Sequence, residues 1–461
     1  MKRYPMNRRG FLRVALTGAC AAASAGGASA AQGGAKTRRL ATFVCDVTPP
    51  LGTPIYSSYK PLEVVEFPLL AKGVILEDGG GRYVLCAVDW CELCNSTYDL
   101  FRSRIAGAAG VEVSHVAVQT VHQHTAPFAD GDAMRLIEQA EQVPPHPPTS
   151  FFEAASARLA EAVGQAVDTM QPFDQVGLSQ VRVERVASNR RVPLGGGKVG
   201  FRASSCQDPK LIALPEGVID PFLKTITFAQ DERPLARLHY YATHPQSFYG
   251  DPRASYDFVG MARERLEKEE KVFQVYFTGC AGDIACGKYN DRSPEAREGL
   301  YQRLYAAMAA SVSGVEFASA EDIVWRTTPL TLTPRNDAQW SREKATADLN
   351  NTEETGLKRI CAAMFLAWSD RAESPIELTS LEMGKVSIVH LPGEPMIDYQ
   401  LFAQQLRPDQ FVAVAGYSDC GPAYICIEDY FGKGGYEETA AHAVPESEAV
   451  FRDAIRKLLE T

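Results

Sequence analysis

The chain has 461 residues, 45% of them hydrophobic and 23% charged, with a formal net charge of −10. That composition belongs to a globular protein long enough for one large core or two joined ones. The first thirty residues carry Lys2, Arg3, Arg8, Arg9 and Arg13 and no acid, so without them the charge becomes −15; a surface that acidic excludes a nucleic-acid partner and docking on anionic membranes.

Those thirty residues read as an address rather than as fold. Asn7-Arg8-Arg9-Gly10-Phe11-Leu12-Arg13 resembles a twin-arginine export signal, followed by a weakly apolar Ala/Gly/Ser run and an Ala28-Ser29-Ala30 cleavage pattern. The expectation is a signal peptide over residues 1–30 and a periplasmic or secreted mature chain over 31–461. Cys20 raises lipid anchoring, but Leu16 stands one place too far upstream for a good lipobox. No later apolar run is long enough to span a bilayer.

After a loop-rich segment, Val47 to Pro54, the runs Leu70–Leu76 and Tyr83–Val88 flank the turn Gly79-Gly80-Gly81 and predict a β-hairpin. A helix follows near Ser96–Ala106. The apolar run His115 to Thr120 predicts a buried strand leading into Val121-His122-Gln123-His124-Thr125-Ala126-Pro127. Alternate strand residues share a face, so His122 and His124 are expected to enter one pocket together. Val143 to Pro148 is a stiff loop, and Phe151–Met170 an amphipathic helix.

The middle of the chain repeats this plan. Phe222–Phe228 and Leu235–Tyr241 form a second hairpin ending in Thr243-His244-Pro245. Helix Met261–Glu270 carries a charged face (Arg263, Glu264, Arg265, Glu267, Lys268) expected to be plain solvated surface. Strand Phe273–Phe277 opens into Gly279-Cys280-Ala281-Gly282-Asp283, and helix Ala296–Ser311 follows. A third hairpin, Ile376–Leu381 with Lys385–His390, leads to Leu391-Pro392-Gly393-Glu394-Pro395. Strand Phe411–Ala415 and helix Glu446–Leu459 close the chain. No repeat of fixed period and no linker interrupts this order. The expected fold class is α/β (mixed α+β): one large domain with mixed β-sheets flanked by helices.

Eleven cysteines include Cys91 and Cys94 in a CxxC beside Cys86. A zinc knuckle needs a second ligand pair nearby and none is present. An exported chain allows disulfides, but buried free thiols are the default.

Each hairpin-bearing segment ends in a polar group just before a Pro: His122 and His124, then His244, then Glu394. Singly, each reads as a satisfied loop histidine, a capped strand end or a turn carboxylate. Together they form a set suited to catalytic zinc, whose ligands come from separate elements and leave one position open.

At these motifs the chain resembles the neutral/alkaline, non-lysosomal ceramidases and their shorter bacterial relatives. The resemblance runs in order through His122-Gln123-His124-Thr125-Ala126-Pro127, Asn189-Arg190, Tyr241-Ala242-Thr243-His244, Gly282-Asp283, Pro392-Gly393-Glu394, and Tyr424 with Tyr436. It implies Zn2+ held by His122, His244, Glu394 and Tyr424. It implies His124, Arg190 and Tyr436 around a scissile amide, with Asp283 as orienting group or base, and a small-molecule or lipid substrate. The reaction implied is cleavage of a C–N amide bond by a zinc-activated water. An esterase or lactonase, or a metal-bearing binding protein without turnover, are the competing readings. Two departures stand out. Ala285 occupies the place of a Ser two residues after the family's Gly-Asp pair, and the length leaves no room for the ceramidases' C-terminal immunoglobulin-like domain. Both bear on the ceramide substrate more than on the metal.

Overall fold

In the computed structural model, residues 38–55 and 60–460 are described; the expected signal segment and Cys20 lie outside them. Three mixed sheets carry the fold. The first contains β1 (Arg39–Asp46), β2 (Leu70–Glu77), β3 (Arg82–Val88), β4 (Val116–Thr120) and β5 (Gln171–Pro172), in the order β4-β3-β2-β1-β5. The second contains β6 (Gln175–Arg182), β7 (Phe222–Gln230), β8 (Arg233–Tyr241), β9 (Phe273–Thr278) and β10 (Phe317–Ser319), in the order β9-β8-β7-β6-β10. The third runs β11-β12-β13-β14, from Ile323–Leu330, Ile376–Met383, Val386–His390 and Phe411–Ala415. The mixed α+β class expected from the sequence is the class observed.

The three sheets share one plan. A hairpin (β2β3, β7β8, β12β13) is followed by a helix and then by a strand parallel to the hairpin's second arm. The crossover helices are α1 (Asn95–Ala109), α3 (Asp257–Glu270) and α7 (Ile397–Leu406). A further helix, α2 (Thr149–Val167), packs on α1 and β1, and α4 (Pro294–Val312) on α3. Helices α5 (Arg342–Asn350) and α6 (Gly356–Arg371) form a separate hairpin, and α8 (Ser447–Leu459) covers the third sheet. β13, inside the third sheet, and β4, at the edge of the first, are both buried along their whole length, which is why they read as largely apolar runs.

Helix starts follow local chemistry. Ser293 caps α4 through Ala296 N–H with Pro294 in the first turn, and Thr355 caps α6 through Lys358 N–H.

The C-terminal ends of the parallel pairs meet at one point. Val121 N–H donates to Val88, Thr120 N–H to Tyr417, Gly279 N–H to Tyr241, Gly416 N–H to Thr278 and Leu391 N–H to Ala415. Six strand ends are thereby tied together by main-chain bonds, at the place where α/β sheets gather their sites.

Two expectations need correction. The charged face of Met261–Glu270 is not simply solvated. Arg263 is fully buried and pairs with both oxygens of Asp89 at 2.8 Å, while buried Lys72 meets Glu264 at 3.1 Å and Glu267 at 2.7 Å. These ions fasten α3 to β2 and to the end of β3, and removing one partner leaves a buried charge uncompensated. Second, β1, β6 and β11 are strands that the sequence pattern did not mark.

Candidate metal centre and active site

The histidine pair does not sit on a strand. β4 ends at Thr120, and His122 adopts a left-handed backbone with φ of 67°, a conformation costly for a side chain with Cβ. The i, i+2 argument therefore fails locally, because the turn rather than the pleat aims the two rings. They still converge, with centroids 5.0 Å apart and nearly perpendicular.

Around that turn, three atoms meet. His122 Nε2 lies 3.1 Å from His244 Nε2 and 3.0 Å from Glu394 Oε2, and His244 Nε2 lies 3.2 Å from the same oxygen. All three residues are buried. His122 Nδ1 is 2.7 Å from the Cys91 carbonyl, and His244 Nδ1 is 2.7 Å from the Ala281 carbonyl. A carbonyl only accepts, so both Nδ1 atoms carry the proton, and each ring when neutral presents its Nε2 lone pair. Glu394 adds a third acceptor, with Oε2 buried and otherwise unsatisfied. Burial alone would raise the Glu394 carboxyl; positive charge at the facing His122 and His244, the place a bound cation would take, holds it well below the usual range. Burial, reinforced by Arg190, lowers His244 to about 4.

Three acceptors this close repel unless a cation sits among them. Two ligands at about 2.0–2.1 Å from a tetrahedral zinc lie roughly 3.3 Å apart, close to the three separations found here. The donor set and its geometry fit zinc. Tyr424 adds its hydroxyl 3.5 Å from His244 Nε2. Burial pushes that phenol well above its ordinary value, while the Arg190 guanidinium, 3.0 Å from the oxygen, pulls it back.

Glycines make the approach possible. A Cβ at Gly282 would lie 2.5 Å from the Glu394 carbonyl oxygen. Gly393 has φ of 66°, and its Cβ would lie 2.7 Å from the Ala423 oxygen. Glu394–Pro395 then pairs in parallel with Tyr424–Ile425, bringing two of the four expected ligands side by side.

The other expected site residues surround this centre. His124 stacks obliquely on His244 at 5.6 Å, and burial holds its pKa well below the usual imidazole value. Arg190 is buried and donates through Nη2 to Tyr424 and the Gly282 carbonyl. Tyr436 packs edge-on to Tyr424 at 5.6 Å; the residue is 41% exposed, yet burial of its hydroxyl pushes the phenol up. It also borders a cavity of about 340 Å³ lined by Trp340, Leu357, Cys361, Ala362 and Ala440.

Asp283 stands apart from the three acceptors. Asn189 Nδ2 at 2.7 Å, Tyr430 hydroxyl at 2.9 Å and Ile397 N–H at 2.9 Å occupy its oxygens. Burial raises it to about 6 against these donors. Ala285 is fully buried, and its carbonyl accepts from Ser188 Oγ at 3.0 Å.

Sequence reasoning passed over three contributors. Tyr417 stacks under His122 at 4.3 Å with φ of 64°. Cys91 supplies the carbonyl that sets the His122 tautomer, and its thiol, like the other nine among the described residues, is free. Glu437, beside Tyr436, pairs with Arg190. Only the backbone strain at Tyr417 is a site signal, and it is invisible in sequence.

No protein-family model matches the chain, and no curated protein matches it in sequence. Among solved structures, a neutral ceramidase from Pseudomonas aeruginosa is similar at a TM-score of 0.66 and 14% identity, over 92% of this chain and 74% of that one. A ceramidase complexed with C2 gives the same score and identity over 92% of this chain and 75% of its own. At that identity the likeness is one of fold, and the chain has a neutral ceramidase-like fold.

Proposed function

We propose that this chain is a zinc-dependent hydrolase cleaving the C–N bond of an amide in an N-acyl lipid or N-acyl amino compound. His122, His244, Glu394 and Tyr424 are its metal ligands. The observation that carries this reading is the meeting of three buried acceptor atoms within 3.2 Å, both imidazoles held in the tautomer that presents a lone pair. The ceramidase-like fold supports amide chemistry in particular. When bound there, zinc supplies a Lewis acid that brings a water molecule close to deprotonation at neutral pH.

The chain's own groups do the rest. Arg190 and the Tyr436 hydroxyl donate to the carbonyl oxygen as it gains charge. His124, kept neutral by burial, takes the proton from the attacking water and delivers it to the departing nitrogen. With Ala285 in place of a hydroxyl residue, water rather than a side chain is the nucleophile. Asp283 acts by position: its three bonds hold Asn189 and the first turn of α7 against the Gly282 turn.

The test is turnover of the purified chain on a panel of N-acyl lipids, N-acyl amino acids and matched esters, with zinc and after chelation. Zinc-dependent amide cleavage is the expected result. Zinc binding without turnover on any amide or ester would sink the enzymatic reading.

A further inference from the structure

Glu437 is fully buried between two guanidinium groups. Its Oε1 lies 3.2 Å from Arg190 Nε and its Oε2 lies 3.1 Å from Arg191 Nη1. One carboxylate here faces two cations. A buried carboxylate between two paired cations is retained only with good geometry. Here the Arg191 arm is a hydrogen bond, and the Arg190 arm is an ion-pair contact without one.

On the Arg191 side, the guanidinium lies 3.9 Å over the Tyr430 ring, and the Tyr430 hydroxyl donates to Asp283 at 2.9 Å. On the Arg190 side, Nη2 bonds Tyr424 and the Gly282 carbonyl. A guanidinium is a rigid plane, so the bonds at Nη2 and the carboxylate facing Nε at ion-pair distance together set its orientation. Arg190 Nη1 makes no hydrogen bond among the described residues. The backbone leading to Glu437 is also fitted to this purpose. Gly435 has φ of 105°, and a Cβ there would lie 2.1 Å from Arg191 Nη1. Only glycine lets the segment come in close enough for Tyr436 and Glu437 to turn toward the site.

We propose that Glu437 is a positioning residue that aims Arg190, and through the adjoining backbone Tyr436, at the reacting carbonyl. It touches neither the metal ligands nor the substrate, and it joins the two oxyanion donors into one unit. The proposal rests on the amide-hydrolase reading above for its catalytic meaning, while the geometry of Arg190 tests it independently.

The experiment uses the full chain loaded with zinc, as parent, Glu437→Gln and Glu437→Ala. Glu437→Ala should keep the parent's zinc content and hold KM within about threefold, while kcat falls about 100-fold, the scale of a misplaced reacting group. Glu437→Gln, which keeps an acceptor near Arg190, should recover part of that loss. In a crystal structure of Glu437→Ala, the Arg190 guanidinium should leave the Tyr424 hydroxyl. An unchanged kcat, or Arg190 still at Tyr424, overturns the proposal. If the parent binds zinc but cleaves no amide, the enzymatic reading falls and the position of Arg190 alone decides this one. Should Glu437→Ala fail to fold, the near-isosteric Glu437→Gln is read by the same criteria.

Discussion

His122 and His244, 122 positions apart in the chain, face each other through their Nε2 atoms at 3.1 Å, each with its Nδ1 proton already given to a main-chain carbonyl. When the rings are neutral, that tautomer turns two lone pairs toward each other, an arrangement that a bound cation relieves. The backbone stores strain to keep them there, with His122 and its stacking partner Tyr417 both at positive φ.

The two oxyanion donors should be separable from metal binding. Tyr436→Phe removes a hydroxyl that lies outside the ligand set. Turnover should drop by about 100-fold or more, with zinc content unchanged. Equal turnover in the variant would remove Tyr436 from the mechanism.

Tyr417 tests the packing beneath the ligands. Its hydroxyl is buried and has no partner, so Tyr417→Phe should be neutral or slightly stabilising in denaturant unfolding. Tyr417→Ala should cost about 3–5 kcal/mol through the cavity it opens and weaken zinc binding, since His122 loses the ring stacked against it. A Tyr417→Phe variant destabilised by several kcal/mol would mean that the hydroxyl is bonded after all.

Acid should destabilise the fold through histidines that play no part at the centre. Burial lowers His239 to about 4 and His390 to about 3. Both values lie below the ordinary imidazole value of about 6.5, so the unfolded chain binds more protons between these limits. Stability is then complete above pH 6.5 and is lost as pH falls toward 4 and then 3. Denaturant unfolding from pH 7 to pH 4 should show this slope, and His239→Asn should reduce it by about one proton. A slope of opposite sign would contradict the buried, neutral state of both rings.

Ala285 separates fold from substrate. Ala285→Ser places a hydroxyl in a fully buried position beside the Ser188–Asn189 ladder. The expected outcome is a loss of about 1–3 kcal/mol and no gain in amide turnover, because the account makes water the nucleophile. A clear gain on ceramide would mean that the side chain at this place decides the activity.

Much of this was legible in the sequence because the informative residues lie at strand ends. The three hairpins and their parallel partners announce themselves through buried apolar runs, and the crossover helices α1 and α3 through their patterning, whereas the sequence pattern did not mark α7. His122, His244 and Glu394 stand out because a polar group just past such a run has no packing role. Some half-exposed strands were not legible. β6 and β11 bury only part of one face, and their mixed residues, with Pro329 inside β11, give neither alternation nor a run. The strand logic applied to His122 and His124 reached the right neighbourhood for the wrong reason, since a left-handed turn does the aiming. Glu437 was beyond reach because a carboxylate next to Tyr436 looks like surface until Arg190 and Arg191 close around it.

The most direct test of the central claim is elemental analysis of the purified chain beside its His244→Ala variant. The account predicts about one zinc per parent chain, and little or none in the variant, which should remain folded. Stoichiometric zinc retained without His244, or a metal-free parent that hydrolyses amides at full rate, would contradict it.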